Sequence, residues 1–176
     1  ANTLATGVGL TTLIWVFIAI SGAHFNPAVT LVMLLRHEMP ALDALGYIAA
    51  QFLGAMLGVI VVHAMFDLAL LQSSSNYRGG VHLYLSEGIA TFGLLMTILS
   101  VRRLSLLAVA PAVGLYISAG YWFTASTSFA NPAVTVARGF TDSFTGIDPG
   151  FILPFIGAQL IAALFAMLLM RFLLDD

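Results

Sequence analysis

Two identical asparagine-containing motifs hold the side chains of this chain that are best suited to bind another molecule. Asn-Pro-Ala-Val-Thr occurs at residues 26–30 and again at residues 131–135, and each copy lies between long apolar stretches. An asparagine side chain offers an amide donor and a carbonyl acceptor, so it can hydrogen-bond a solute. The pair of motifs therefore favours recognition of a neutral, oxygen-bearing solute over bond-making chemistry.

Few other residues could carry catalysis or hold a metal ion. The chain has no cysteine, which removes thiolate nucleophiles and cysteine-based metal sites. His63 and His82 are isolated, and no His–His, Asp–Asp or Ser–His pair has a useful spacing. An active transporter would need coupling-ion carboxylates inside the membrane, where Glu87 alone is available. We therefore predict no enzymatic activity, no cofactor and no metal site.

The composition is that of a membrane protein. Hydrophobic residues make up 60% of the chain and charged residues 8%, unlike any ordinary soluble domain. The formal net charge is -2 and the six basic residues are scattered, which argues against a nucleic-acid partner. The expected partners are the lipid bilayer, water and small neutral solutes.

Five apolar windows are long enough to cross a bilayer, which needs about 20 residues as a helix. They cover about residues 4–21, 45–66, 84–101, 106–124 and 151–173. Arginine placement predicts the orientation, because arginines are more frequent on the cytoplasmic side. The cytoplasmic group is Arg36, Arg102, Arg103 and Arg171, and the outer group is Arg78 and Arg138.

The second half of the chain repeats the first. Each motif is followed by an Ala-Gln pair in an apolar helix, Ala50-Gln51 and Ala158-Gln159. We predict a single domain, residues 1–176, made of an inverted repeat with halves 1–66 and 84–176. Two helices precede the motif in the second half and one in the first, so we expect a further helix of about 20 residues before Ala1. The alternative is a five-helix protein with one side of its pore wall open to lipid.

Each motif predicts the start of a helix that crosses half the bilayer. Asparagine is a favoured N-cap and proline fits the first helical position. The helices should span about residues 27–35 and 132–140 and meet at the midplane with their positive dipole ends. Irregular backbone at that depth must be buried by protein or line a water-filled pore. The amide nitrogens of Asn26 and Asn131 would then be free to donate to a passing solute.

Residues 21–30, Ser-Gly-Ala-His-Phe-Asn-Pro-Ala-Val-Thr, resemble the first signature of the aquaporin, or major intrinsic protein, family. The resemblance extends from the family's second helix to its sixth. It implies an all-α membrane protein with two re-entrant half-helices, one pore per subunit and a homotetramer. It also implies that four polar residues brace the re-entrant loops, with a proton relay as the alternative for those within the helices. These residues are Glu87, Gln51, Gln159 and His24.

The chain departs from the family pattern at the constriction. An arginine usually follows the second Asn-Pro-Ala, and this chain has Val134; the other filter positions fall on Thr6, Ala119 and Ser128. All four side chains are small or medium and uncharged, so we expect a constriction wider than a water filter. The alternative is that Val134 merely retains the valine of the first repeat, Val29, without altering solute choice.

Residues 121–135 resemble a bacterial subgroup of the family that is associated with arsenic resistance and in which this valine is usual. The resemblance implies a passive channel in a bacterial cell membrane for trivalent metalloid hydroxides such as arsenite, and for polyols. A general glycerol or water facilitator remains the alternative. A structural protein that passes nothing is disfavoured, because bulky residues would be expected at the constriction.

Overall fold

The computed structural model of this protein describes residues 1–174 as an all-helical structure. Its α-helices are α1 (Asn2–Ser21), α2 (Pro27–Leu35), α3 (Ala41–Met65), α4 (Val81–Leu104), α5 (Val109–Phe123), α6 (Pro132–Arg138) and α7 (Ile152–Leu174). A short 3₁₀ helix, Pro149–Phe151, leads into α7.

Four of the five predicted membrane spans are confirmed as helices long and apolar enough to cross a bilayer: α1, α3, α4 and α7. The fifth, α5, has 15 residues and is shorter than the predicted window 106–124. Pro111 explains the late start, because a proline is tolerated in the first turn of a helix and not further along. Residues 105–108 instead form a turn between α4 and α5.

The two half-helices begin where the motifs predicted. Asn26 Oδ1 accepts a hydrogen bond from Ala28 N at 2.9 Å, and Asn131 Oδ1 accepts from Ala133 N at 3.0 Å. Helix α2 has nine residues, as predicted, and would measure about 14 Å at about 1.5 Å per residue. Helix α6 has seven residues and ends at Arg138, two residues earlier than predicted, with Gly139 as its C-cap.

Each half-helix packs between long helices of both halves of the chain. Each half-helix packs against the long helix that follows it, α2 on α3 and α6 on α7. Each also packs against the long helix of the other half, α2 on α7 and α6 on α3. Helix α1 packs on α5, and α4 packs on both α7 and α5. Within residues 1–174 no helix lies on α3 as α4 lies on α7, and the apolar span of α3 is unburied.

Helices α1 and α5 approach closely because glycines face each other across the contact. A Cβ added to Gly114 would lie 2.5 Å from the backbone oxygen of Gly7 and 2.0 Å from Thr11 Oγ1. A Cβ added to Gly7 would lie 2.9 Å from the backbone oxygen of Gly114. Such distances are too short for any side chain, so the spacing of these two helices depends on both glycines.

We expect Gly114→Ala to lower the free energy of unfolding by about 1–3 kcal/mol, because the new methyl group must push α1 away from α5. The measurement is the thermal unfolding midpoint in detergent. Gly54→Ala on α3 is the matched control, since a Cβ there meets no atom within 4 Å. Equal unfolding midpoints for the two variants would contradict the close contact.

One carboxylate, that of Glu38, binds two of the predicted cytoplasmic arginines at one end of the protein. Glu38 accepts two hydrogen bonds from Arg102, both at 2.5 Å, and one from Arg36 Nε at 2.7 Å. The contact joins the loop after α2 to the end of α4. Hydrogen bonds from Arg102 are the largest cause that lowers the pKa of Glu38 below its usual value, with a smaller contribution from Arg36.

The lowered pKa predicts how the stability of this end depends on pH. A depressed carboxyl pKa stabilises the folded state above the unfolded-state value of 4.5, and that contribution is lost as the pH falls through the folded-state pKa. We therefore expect wild type to unfold at a higher temperature than Glu38→Gln at neutral pH, and the difference to shrink in acid. A difference that stays constant down to the acid limit would contradict the ion pair.

Candidate pore and its lining

The two motif asparagines link the re-entrant loops to each other. Asn26 Nδ2 donates to the backbone oxygen of Ala130 at 2.7 Å, and Asn131 Nδ2 donates to the backbone oxygen of Phe25 at 2.8 Å. This corrects the expectation that both amide nitrogens are free. Each carries two hydrogens, so one is engaged by the opposite loop and one remains.

Backbone strain recurs at matching positions in the two loops. The residues three before and one before each asparagine have positive φ, in the left-handed region that non-glycine residues seldom adopt. The values are 50° for Ala23, 48° for Phe25, 51° for Ser128 and 48° for Ala130. Each such residue costs about 1–3 kcal/mol and persists only where the surroundings enforce it. The loops therefore need side-chain supports.

Glu87 supports the second loop from α4. Its two oxygens accept from Phe129 N and Ala130 N, each at 2.8 Å. Gln159 Nε2 on α7 donates to Glu87 Oε2 at 2.7 Å and to Thr135 Oγ1 at 2.9 Å. Glu87, Gln159 and Thr135 are fully buried. These contacts are directed at the strained loop and the first turn of α6.

The first loop is supported by a similar arrangement. Gln51 Nε2 on α3 donates to Thr30 Oγ1 at 2.9 Å, and His24 Nδ1 lies 3.1 Å from the same oxygen. Thr30 in turn donates to the backbone oxygen of Asn26, as Thr135 does to that of Asn131. Thr30 and Thr135 were not among the predicted supports, although both motif copies end in threonine.

One cavity of about 750 Å³ runs past both asparagines. It extends from Glu38 and Arg102 at one end to Tyr121 and Arg138 at the other. The apolar part of the lining comes from α1, α2, α4 and α5; its residues include Leu10, Ile14, Val29, Leu94, Val113 and Ile117. The re-entrant loops also contribute to the lining, including the two asparagines. A solute that carries both hydroxyl groups and carbon would suit such a mixed lining.

The sequence matches a known protein family. A sequence model described as "Major intrinsic protein" matches residues 1–105, more than half of the chain. The chain belongs to the major intrinsic protein family. Its relatives in the family include aquaglyceroporin AqpS of Rhizobium meliloti, which is 51% identical over 175 residues, 99% of this chain and 75% of that protein.

Two further relatives lie at greater distance within the major intrinsic proteins. The lens fiber major intrinsic protein of Oryctolagus cuniculus is 34% identical over 178 residues, 94% of this chain and 68% of that protein. Glycerol uptake facilitator protein-like 6 of Lactiplantibacillus plantarum is 38% identical over 104 residues, 56% of this chain and 48% of that protein. Family membership confirms the prediction of a multi-pass cell-membrane channel for water and small neutral solutes rather than an enzyme.

Three of the four filter positions taken from the major intrinsic protein pattern face the cavity. Thr6, Ser128 and Val134 line it. Ala119 is exposed and does not line it, whereas Tyr121 on the same helix does. The cavity face of α5 repeats every four residues, at 109, 113, 117 and 121, and position 119 lies on the opposite side of the helix. The four-residue spacing of these side chains is visible in the sequence and would have indicated this face of α5.

Proposed function

We propose that this channel passes uncharged solutes larger than water: trivalent metalloid hydroxides such as arsenite, and polyols such as glycerol. The observation that carries the proposal is the small, uncharged Val134 facing the cavity beside Asn131, with Thr6 and Ser128 also in the lining. Selectivity in such pores depends on diameter, lining donors and electrostatic barriers. Small neutral side chains leave room for a solute with several hydroxyl groups.

Asn26 and Asn131 would act as donors at the midplane. One hydrogen of each amide is held by the opposite loop, which fixes the orientation of the other. A solute hydroxyl that accepts this hydrogen exchanges a bond to water for a bond to protein, which lowers its dehydration cost. Glu87, Gln159, Gln51 and His24 would keep the two loops in register with each other.

A general glycerol or water facilitator is the second candidate. The names of two relatives, an aquaglyceroporin and a glycerol uptake facilitator-like protein, support glycerol. The resemblance of residues 121–135 to the arsenic-associated subgroup supports arsenite. Both solutes are neutral and hydroxylated near neutral pH, so the same lining suits either.

Stopped-flow light scattering on proteoliposomes separates the candidates. Vesicles exposed to a glycerol or arsenite gradient should shrink rapidly and then reswell fast as the solute enters. The ratio of the two reswelling rates decides which solute is preferred, with protein-free vesicles as the control. Shrinkage without reswelling would mean a water-selective pore and would overturn the proposal.

We also propose that the chain works as a homotetramer in the bilayer and that residues 1–66 and 84–176 are inverted repeats. The exposed apolar side chains of α1 and α3, including Leu4, Leu53 and Leu57, support a lateral partner or lipid. The reciprocal packing of the half-helices supports the repeat. After cross-linking in native membranes, the largest species should have the mass of a tetramer. A largest species with the mass of a monomer would contradict the proposed assembly.

A further inference from the structure

Arg138, one of the two arginines predicted on the outer side, lies at one end of the cavity. It lines the cavity together with Tyr121, and the same two residues also line a second pocket of about 210 Å³. That pocket is otherwise formed by the start of α1 and by residues 122, 127, 144 and 145. Arg138 and Tyr121 therefore stand between the outer pocket and the part of the cavity that contains Asn131.

The guanidinium of Arg138 is held in position by an aromatic ring and a hydroxyl group. Its Cζ lies 4.1 Å from the centroid of the Phe129 ring, and Nη2 donates to Tyr121 Oη at 3.3 Å. Nη1 is buried and has no hydrogen-bond partner. No ion pair found among residues 1–174 includes Arg138. The result is a fixed positive charge beside the cavity.

Arg78 provides a contrast at the same aromatic ring. Its Cζ lies 4.9 Å from the Phe129 centroid, but it does not line the cavity. Its guanidinium donates to three backbone oxygens, those of Gly146, Ser126 and Phe144. Burial lowers the pKa of Arg78, and the charge of Arg138 lowers it further. Two positive charges therefore lie close together, and the one on Arg138 faces the cavity.

Helix geometry explains how an arginine at position 138 reaches this place. Val134 and Arg138 are one turn apart on α6 and both line the cavity. Side chains on a helix lean toward its N-terminus, so a long side chain at 138 extends back over the turn that contains Val134. A small residue at 134 leaves that space open for the guanidinium.

We propose that Arg138 is a specificity-determining residue of this channel, because its charge repels cations that enter the cavity while neutral solutes pass. The proposal rests on the proposed function, since it concerns the same pore. Val134 in the first turn of α6 carries no charge, and Arg138 one turn later supplies the positive charge instead. A fixed charge in a pore wall is an effective barrier because the surroundings screen it less than bulk water does.

The test compares cation and glycerol permeation in the same variants of the full chain. Sodium conductance is measured in planar bilayers and glycerol permeability in proteoliposomes, for wild type, Arg138→Gln, Arg138→Lys and Arg78→Gln. We expect Arg138→Gln to raise the ratio of sodium to glycerol permeability by roughly tenfold, because unit charges a few ångströms apart interact by more than thermal energy even when screened. Arg138→Lys, which keeps the charge, should leave the ratio near that of wild type.

Arg78→Gln is the matched control, because it removes the same charge from the same end of the protein but outside the cavity lining. We expect lower thermal stability and a much smaller rise in the permeability ratio than in Arg138→Gln, because Arg78 does not line the cavity. If Arg138→Gln does not fold, Arg138→Met replaces it, since a methionine retains a long side chain against Phe129. An unchanged ratio in the folded, neutral variant overturns the proposal. Absence of glycerol flux in wild type would instead contradict the proposed function, and the sodium measurement would still report on Arg138.

Discussion

Val134→Arg is expected to lower the glycerol permeability of the reconstituted channel by about tenfold or more while reducing water permeability less. The new guanidinium would enter the cavity beside Asn131, where the lining is now small and uncharged. Single-methylene differences in a tight site already change discrimination by about 10-fold or more, and an arginine adds far more volume than that. It would also lie one turn from Arg138, and like charges at that spacing repel. The measurement is the ratio of glycerol reswelling rate to water efflux rate in proteoliposomes.

Val134→Met separates the two causes, because methionine adds length without charge. An intermediate loss of glycerol flux in that variant would assign part of the effect to volume, and the remainder seen with arginine to charge and hydration. Equal loss of glycerol and water flux in a folded Val134→Arg protein would count against the filter assignment. Unchanged glycerol flux would show that the constriction lies elsewhere along the cavity.

The features predicted best from the sequence are those that depend on neighbouring residues. Asn26-Pro27 and Asn131-Pro132 fix the starts of α2 and α6 because the cap and the missing proline donor act within one turn. The apolar windows gave the long helices for a similar reason, since about 20 apolar residues leave few alternatives in a bilayer. Even the short α5 had a local signal, the proline at 111.

The features that could not be predicted depend on segments far apart in the chain. One hydrogen of the Asn26 amide is taken by the backbone oxygen of Ala130, which only the second loop can present. The position of the Arg138 guanidinium requires Phe129 and Tyr121, which reach it from a loop and from another helix. No spacing in the sequence specifies such contacts. The threonines that end both motifs were visible, but their partners Gln51 and Gln159 lie on different helices.

Glu87→Gln is expected to lower the free energy of unfolding by about 2–5 kcal/mol, because it removes an acceptor that supports the strained second re-entrant loop. Both carboxylate oxygens now accept backbone hydrogens, from Phe129 N and Ala130 N, and one also accepts from Gln159. A glutamine keeps the shape but turns one acceptor into a donor, which must then face another donor. The residue is fully buried, so water cannot replace the lost bond.

The changes in stability and in flux caused by Glu87→Gln distinguish two roles of Glu87, a structural brace and a proton relay. A brace predicts a lower unfolding temperature and a parallel fall in water and glycerol flux, since a displaced loop moves both Ala130 and Asn131. Glu38→Gln makes the same chemical change in a partly exposed ion pair, where a small effect on stability is expected. A proton relay predicts unaltered stability and solute flux with a change confined to proton permeability, measured with a pH-sensitive dye inside the vesicles. Because the carboxylate contacts end on the backbone of the second loop and on Gln159, a neutral side chain that is a poor proton carrier, we expect the first pattern.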